Sequence, residues 1–426
     1  MPQLHPFIAD LEARGLLAQS TDVDGLSAWM AGGVRTAYCG FDPTADSLHI
    51  GNLVPLLVLR RWQLAGHRPI LLVGGATGLI GDPSGRSDER SLNEAETVAA
   101  WVARIRAQAS QLLDLDGPTG ALVVDNLQWT ADVRLLDFLR DVGKHFSVNA
   151  MVARDSVRSR LDRDGAGISF TEFAYMLLQA HDFAELASRE SCLVQLGGSD
   201  QWGNIVSGID LIRRTQGQDA FGLTVPLVTK SDGTKFGKTA GGSIWLDPQK
   251  TSPYAFYQFW LNTADDDVER FLGLFTFETQ QAIGDVMASL SSDPGGRAPQ
   301  RLLARSVTEL VHGQGAVEAS ERISAALFGG SVEALREGDL DQLALDGMDS
   351  TEVSEGSGLL AAMTSAGLTK SNGAARQLVQ GGSVSVNGDK VDDAGTTLSR
   401  SEALFGRYFL LRRGKKTWHM LKVVDS

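Results

Sequence analysis

Five short runs of apolar and β-branched residues, at 36–41, 69–73, 121–124, 192–196 and 222–228, stand out along this chain. Their length and make-up are those of buried strands. Between them lie longer stretches in which apolar residues return every three or four positions, the spacing that turns one face of a helix towards a core. Strand and helix in alternation predict an α/β fold with a doubly wound parallel sheet, whose ligands bind beyond the carboxyl ends of the strands. Several of the runs end in glycine or a polar residue, as such a site requires. After Thr251 the pattern is helical throughout, at 255–261, 268–275 and 301–310, and residues 1–22 also carry apolar positions at helical spacing. There is no internal repeat.

The chain has 426 residues, 43% hydrophobic and 21% charged, enough for two or three domains with cores of their own. Cys39 and Cys192 are its only cysteines, which excludes a disulfide framework and any zinc-ligand spacing and points to a reducing, cytoplasmic setting. No apolar run is long enough to cross a membrane. The net charge of −13 argues against an RNA partner only until its distribution is considered. From Ser357 to Ser426 there are ten Lys and Arg against five Asp and Glu, so the tail is a basic module on an acidic protein. Between Gly329 and Gly356, eight acids, one base (Arg336) and several Gly and Ser read as a linker.

Residues 40–52, Gly-Phe-Asp-Pro-Thr-Ala-Asp-Ser-Leu-His-Ile-Gly-Asn, follow the first predicted strand. A turn at Asp42-Pro43 and a cap at Asp46 or Ser47 predict a helix entered at Leu48 and His49, whose free N–H groups attract phosphate. His49 offers a donor for charge moving onto a leaving phosphate, and Gly51, without a Cβ, lets an adenosine come close. The loop 230–239, Lys-Ser-Asp-Gly-Thr-Lys-Phe-Gly-Lys-Thr, carries three lysines and two glycines and can close over a triphosphate. Standing alone it is better explained as a solvated surface loop.

Three further segments carry chemistry. Gly-Gly-Ala-Thr-Gly-Leu-Ile-Gly-Asp-Pro-Ser-Gly at 74–85 lacks both the P-loop ending and the dinucleotide fingerprint, which removes support for a kinase or a dehydrogenase. Either it is a plain glycine-rich turn, or Asp82 binds an ammonium there while Arg86 and Arg90 hold released pyrophosphate. Ser169 and Glu172 have capping-box spacing, and Tyr175, Gln179 and Asp182 follow on one face of the helix so started. Those polar groups sit among Phe173, Met176, Leu177, Leu178 and Phe183, which favours a binding face over a solvated one, and Tyr38 could set a phenol opposite Asp182. Gly-Gly-Ser-Asp-Gln-Trp-Gly-Asn at 197–204 fits either a ribose-binding loop, with Asp200 accepting from hydroxyls and Gln201 donating, or an Asx turn with Trp202 in the core.

The paired 40–52 and 230–239 segments resemble the His-Ile-Gly-His and Lys-Met-Ser-Lys-Ser signatures of class I aminoacyl-tRNA synthetases. Over nearly the whole chain, Tyr38-Cys-Gly-Phe-Asp-Pro-Thr44, Gly81-Asp-Pro-Ser-Gly85, Ile168-Ser-Phe-Thr-Glu-Phe173, Gly197-Gly-Ser-Asp-Gln-Trp-Gly-Asn204 and Lys235-Phe-Gly-Lys-Thr239 resemble the bacterial tyrosyl-tRNA synthetases. The resemblance implies a Rossmann-type catalytic domain at 1–240 with an inserted dimerisation segment, an α-helical domain on the anticodon-arm side at 241–330, the acidic linker at 331–356 and a small α+β RNA-binding module at 357–426.

It also implies roles. Tyr38 and Asp182 would hold the substrate phenol, Asp82, Tyr175 and Gln179 its ammonium, and Gln201 would sit by its carboxylate and the α-phosphate. Cys39, Asn52 and Asp200 would contact ribose, with Gly40, Gly51 and Gly198 giving the nucleotide room. Thr44 and His49, with Lys235, Lys238 and Thr239 and aided by Arg86 and Arg90, would stabilise departing pyrophosphate. In the tail, Lys370, Arg376, Lys390, Arg407, Arg412, Arg413, Lys415 and Lys416 would contact RNA phosphates. The implied partners are L-tyrosine, ATP carrying Mg²⁺, tRNA(Tyr) and a second copy in a homodimer, with no membrane and no tightly bound metal or organic cofactor. Two departures stand out: Asn52 where histidine is common, and Asn372-Gly373 where the RNA module often has basic residues. A tryptophanyl-tRNA synthetase, a non-enzymatic RNA-binding protein on a synthetase scaffold, and an adenylyltransferase are the alternatives.

Overall fold

The computed structural model describes residues 4–82, 94–154, 157, 158, 161, 168–234, 236–239, 242–329, 331–414 and 416–424. The chain divides into two compact units, Met1–Leu246 with Asp265–Ser291, and Asp247–Ala264 with Ser292–Ser426.

The first unit is built on a six-stranded sheet: β1 (Gln19–Ser20), β2 (Thr36–Phe41), β3 (Arg68–Val73), β4 (Leu122–Asp125), β5 (Cys192–Gly198) and β6 (Phe221–Val225), in the order β1-β6-β5-β2-β3-β4. All five strands predicted from the sequence are present and mutually parallel; the short edge strand β1, which no pattern announced, runs antiparallel to β6. Strand β2 has β3 on one side and β5 on the other, so the winding reverses there and a crevice opens beyond the carboxyl ends of β2 and β5. The helix Ile50–Leu64 buries residues on all sides, among them Leu53, Val54, Leu57 and Trp62. The helix Phe170–Glu190 starts as predicted, with Ser169 Oγ accepting from the Glu172 amide at 3.2 Å. It ends at Ser191, whose left-handed φ of 51° turns the chain directly into β5.

Residues 265–291 were expected in the helical domain but cluster with the sheet. The physical reason is a guanidinium clamp. Arg14 donates to the carbonyls of Gly273, Thr276 and Glu278, and Arg61 also donates to that of Thr276, so the orphan carbonyls at the end of the helix Asp265–Phe275 find partners. Asp10 bridges the two arginines at 2.6 and 2.9 Å. Further on, β7 (Lys238–Thr239) and β8 (Gly242–Ser243) form a small antiparallel ribbon.

The second unit combines the helices Pro253–Leu261, Ala298–His312 and Gln314–Gly329 with a five-stranded sheet. Its strands are β9 (Ser350–Ser354), β11 (Val384–Val386), β12 (Asp389–Lys390), β14 (Tyr408–Arg413) and β15 (Thr417–Val424), while β10 (Ser357–Gly358) pairs separately with β13 (Thr397–Leu398). Alternation along β14 covers both faces. Phe409 and Leu411 pack with Leu359, Met363 and Val379, whereas Tyr408 and Leu410 pack with Tyr254, Ile323 and Leu340.

The reading of 331–356 as a linker is corrected here. Residues Glu337–Gln342 are helical, and β9 is an edge strand pairing in parallel with β15. Leu335, Leu340, Leu343 and Val353 are buried, while the acids that suggested a solvated linker have specific partners. Asp339 accepts from Nε and Nη2 of Arg322 at 2.7 and 2.8 Å, Asp341 accepts from the Tyr408 hydroxyl at 2.7 Å, and Asp346 accepts from the Ser252 amide at 3.0 Å. Among the described residues no helix is long and apolar enough to cross a membrane.

Candidate active site

A cavity of about 570 Å³ opens at the point where the winding reverses. It is lined by Tyr38, Cys39 and Gly40 at the end of β2, by Thr44, His49, Gly51 and Asn52 from the loop and helix that follow, by Asp82, by Tyr175, Gln179 and Asp182 from one helix face, and by Gly198, Asp200 and Gln201 after β5. Residues chosen from four separated stretches of sequence thus share one wall-to-wall space.

At the deep end, Asp182 is 3% exposed and accepts from Asn126 Nδ2 at 2.9 Å and Trp129 Nε1 at 2.8 Å. Burial pushes its carboxyl up to about 7, while those two donors pull the other way. The Tyr38 hydroxyl is buried and has no hydrogen-bond partner among the described residues. Its own burial, then the nearby Asp182, raise its pKa well above the ordinary phenol value, so it stays protonated. An anchored carboxylate beside an unsatisfied hydroxyl suits a second hydroxyl, such as a phenol, that can donate to one and pair with the other.

In the middle of the cavity, Tyr175 donates to Asp42 Oδ2 at 2.6 Å, and Thr77 donates to Asp42 Oδ1 at 2.7 Å. Gln201 Nε2 donates to Asp82 at 2.7 Å and Asp200 at 3.2 Å, while Gln179 Nε2 donates to Gln201 Oε1 at 3.2 Å. Asn204 closes the network on Gln179 Oε1 at 2.9 Å. Asp42, Asp82 and Asp200 concentrate negative charge here, which suits an ammonium group. Burial raises the Asp200 carboxyl, Gln201 lowers it by donating, and Asp82 raises it again.

At the outer end the helix begins one or two residues later than expected. Its cap is His49, whose Nδ1 accepts from the Gly51 amide at 3.1 Å, and Asn52 Oδ1 accepts from the His49 amide at 3.1 Å. Asp46 pairs with Arg104 at 2.8 Å and Ser47 Oγ accepts from Gln108 Nε2 at 3.0 Å, so both acceptors are engaged elsewhere. With Nδ1 accepting, the neutral ring carries its proton on Nε2, where it can be given to a ligand. A Cβ on Gly51 would lie 2.8 Å from His49 Cε1, so glycine protects the histidine's position. Cys39 is buried and its thiol is pushed up to about 12, first by burial and then by Asp200, which leaves it a poor nucleophile.

From the 230–239 loop, Phe236 lines the cavity, and Gly233 and Gly237 have the positive φ values of 79° and 80° that their turns require. Arg86, Arg90, Lys235 and Lys415 lie outside the described residues, as do the side chains of Lys238 and Thr239. In the tail, Lys370, Arg376, Lys390 and Lys416 are exposed. Arg407 instead pairs with Glu337 at 3.3 Å and Asp341 at 3.1 Å, Arg413 donates to the Leu368 carbonyl, and Arg412 covers the Trp418 ring. Sequence reasoning missed Asn126, Trp129, Asp42 and Thr77 as site residues. Asp42 and Asn126 carried a signal, each being a polar residue just past a predicted strand.

Residues 31–329 match the family model of tRNA synthetases class I (W and Y), and residues 339–421 match that of the tyrosine–tRNA ligase SYY-like C-terminal domain. The chain is 55% identical over 422 residues to a tyrosine–tRNA ligase of Aliivibrio fischeri (strain MJ11), covering 99% of both chains. It is 51% identical over 417 residues to that of Dechloromonas aromatica (strain RCB), covering 98% of both. Among solved structures, a C-terminally truncated Aspergillus nidulans mitochondrial tyrosyl-tRNA synthetase superposes with a TM-score of 0.69 at 33% identity, over 76% of this chain and 94% of that one. The chain therefore belongs to the tyrosine–tRNA ligases, within the class I tRNA synthetases.

Proposed function

We propose that the protein activates L-tyrosine with ATP, releasing pyrophosphate, and then passes the tyrosyl group from the adenylate to a hydroxyl of the terminal ribose of tRNA(Tyr), releasing AMP. The observation that carries this reading is the Asp182 carboxylate, held by Asn126 and Trp129 beside a Tyr38 hydroxyl that has no partner among the described residues, at the floor of the cavity. In this reading the phenol donates to Asp182 and pairs with Tyr38. The ammonium meets Asp82, Tyr175 and Gln179, and the carboxylate is left pointing towards Gln201.

That carboxylate is already ionised, so the enzyme supplies no nucleophile and no base for the first step. One carboxylate oxygen attacks the α-phosphorus, the bond from that phosphorus to the bridging oxygen breaks, and the electron pair leaves on pyrophosphate. ATP enters as its Mg²⁺ complex, the ion screening the phosphate charge. Thr44 and His49 donate to the departing oxygens, together with Lys235, Lys238 and Thr239 and with Arg86 and Arg90, while Cys39, Asn52 and Asp200 hold the ribose. Asn52 in place of histidine still donates an N–H, without charge.

The exposed bases Lys370, Arg376, Lys390 and Lys416 support tRNA binding through phosphates. A homodimer is supported by Leu135, Leu136, Val148 and Phe170, each more than 60% exposed on the first unit. The chemistry suits the cytoplasm, where tRNA is charged. Pyrophosphate exchange into ATP tests the reading: tyrosine should support it and tryptophan should not, and exchange as fast with tryptophan refutes the substrate assignment.

A further inference from the structure

The loop 230–239 is held by one face of the helix Asp265–Phe275. The Asp267 carboxylate, only 3% exposed, accepts from the Ser231 amide at 3.0 and 3.1 Å and from Ser231 Oγ at 3.0 Å. Arg270 donates to Asp267 at 2.8 Å and to the carbonyl of Thr229. Further along the loop, the Phe236 ring lies 5.0 Å from Phe271 and 5.1 Å from Phe275. Positions 267, 270, 271 and 275 fall on one helical stripe. The far end of that helix is tied to the sheet unit by Arg14 and Arg61, so the stripe is a fixed platform.

Asp267 is no part of the cavity wall. Yet three donors, the Ser231 N–H and O–H and an Arg270 N–H, converge on it, and an acceptor-only group is what that convergence needs. An asparagine would turn an NH₂ towards at least one of them. Residues 229–231 and Phe236 are held by this helix before any triphosphate binds, which lowers the cost of ordering the loop around one.

We propose that Asp267 is a positioning residue for adenylate formation, acting through the lysine loop by fixing its entry at Thr229 and Ser231. This rests on the reading of the loop as the element that holds the leaving phosphates. The test measures single-turnover tyrosyl-adenylate formation, the ATP KM and the tyrosine Kd without ATP. Variants are Asp267→Ala, Asp267→Asn and Ser231→Ala, each made also with Lys238→Ala.

Asp267→Ala should slow adenylate formation about tenfold or more and raise the ATP KM, with tyrosine Kd changed less than about twofold. Asp267→Asn should be intermediate, and Ser231→Ala, which keeps the amide bond, should show a smaller effect of the same sign. In the Lys238→Ala background the same changes should cost a clearly smaller factor than in the parent, because one of the groups they position is gone. The proposal is overturned if Asp267→Ala costs the same factor in both backgrounds, or weakens tyrosine binding as much as ATP use. Should Asp267→Ala fail to fold, parental rates in Ser231→Ala overturn it equally. Parental rates in Lys238→Ala sink the loop reading and the proposal together, whereas a slow Lys238→Ala beside a parental Asp267→Ala sinks the proposal alone.

Discussion

Replacing Asp182 with alanine isolates recognition of the phenol from everything else in the cavity. The carboxylate already accepts from Asn126 at 2.9 Å and Trp129 at 2.8 Å, and a bound phenol adds a third donor. A hydrogen bond to a charged acceptor contributes about 1.5–3 kcal/mol, which corresponds to about 10- to 150-fold in kcat/KM. Phenylalanine never makes that bond, so the ratio of tyrosine to phenylalanine use should fall by this factor. The donors left behind affect both amino acids alike and cancel in the ratio. Asn126 also keeps its contacts with Thr77 at 3.0 Å and with the Ala76 amide at 2.7 Å, which preserves the shape of the floor. The assay is pyrophosphate exchange at sub-saturating amino acid, run with tyrosine and with phenylalanine on parent and variant. A ratio that stays at the parental value, or a variant that loses both activities in equal measure, refutes the pairing of the phenol with Asp182.

Three other outcomes follow from the same structure. Burial raises the Asp182 carboxyl to about 7, and a donating phenol favours its charged form, so the tyrosine Kd without ATP should weaken as pH falls from 8 through about 7 while phenylalanine binding stays flat; a flat tyrosine titration argues against it. The sign for stability is the opposite: a folded-state pKa above the ordinary carboxylate value contributes stability that is full below that ordinary value and lost as pH rises through about 7, which urea melts of the unliganded protein at pH 5 and 8 can check. Reversing charge at the exposed Lys370 and Arg376 with glutamate should raise the tRNA KM and flatten its salt dependence by about one to two in log–log slope, leaving pyrophosphate exchange intact; unchanged slopes place the RNA contacts elsewhere.

Much of the fold was legible because its signals are local. Five strand runs, the Ser169 cap and the helical stretches after Thr251 are set by composition and period within a few residues. Where the sequence misled, tertiary partners had changed the meaning of a residue. The acids between 333 and 355 look solvated in isolation, yet Asp339 meets Arg322 and Asp346 meets an amide of a helix nearly a hundred residues earlier. Asp46 and Ser47 are good caps by type, but their oxygens accept from Arg104 and Gln108, and the helix starts at the histidine.

By itself, then, the sequence determined the strand order's raw material, the one-face spacing of Tyr175, Gln179 and Asp182, and the glycines that bring a backbone near a nucleotide, because each depends on bond geometry and on the period of one element. Only the tertiary structure decided which carboxylate is anchored and which hydroxyl is left waiting. Asn126 and Trp129 reach Asp182 across 56 and 53 residues, Tyr175 reaches Asp42 across 133, and Asp267 reaches the loop across 36. Such pairings leave no periodic trace in the chain, since a hydrogen bond depends on where two atoms come to rest and not on how far apart their residues lie in sequence.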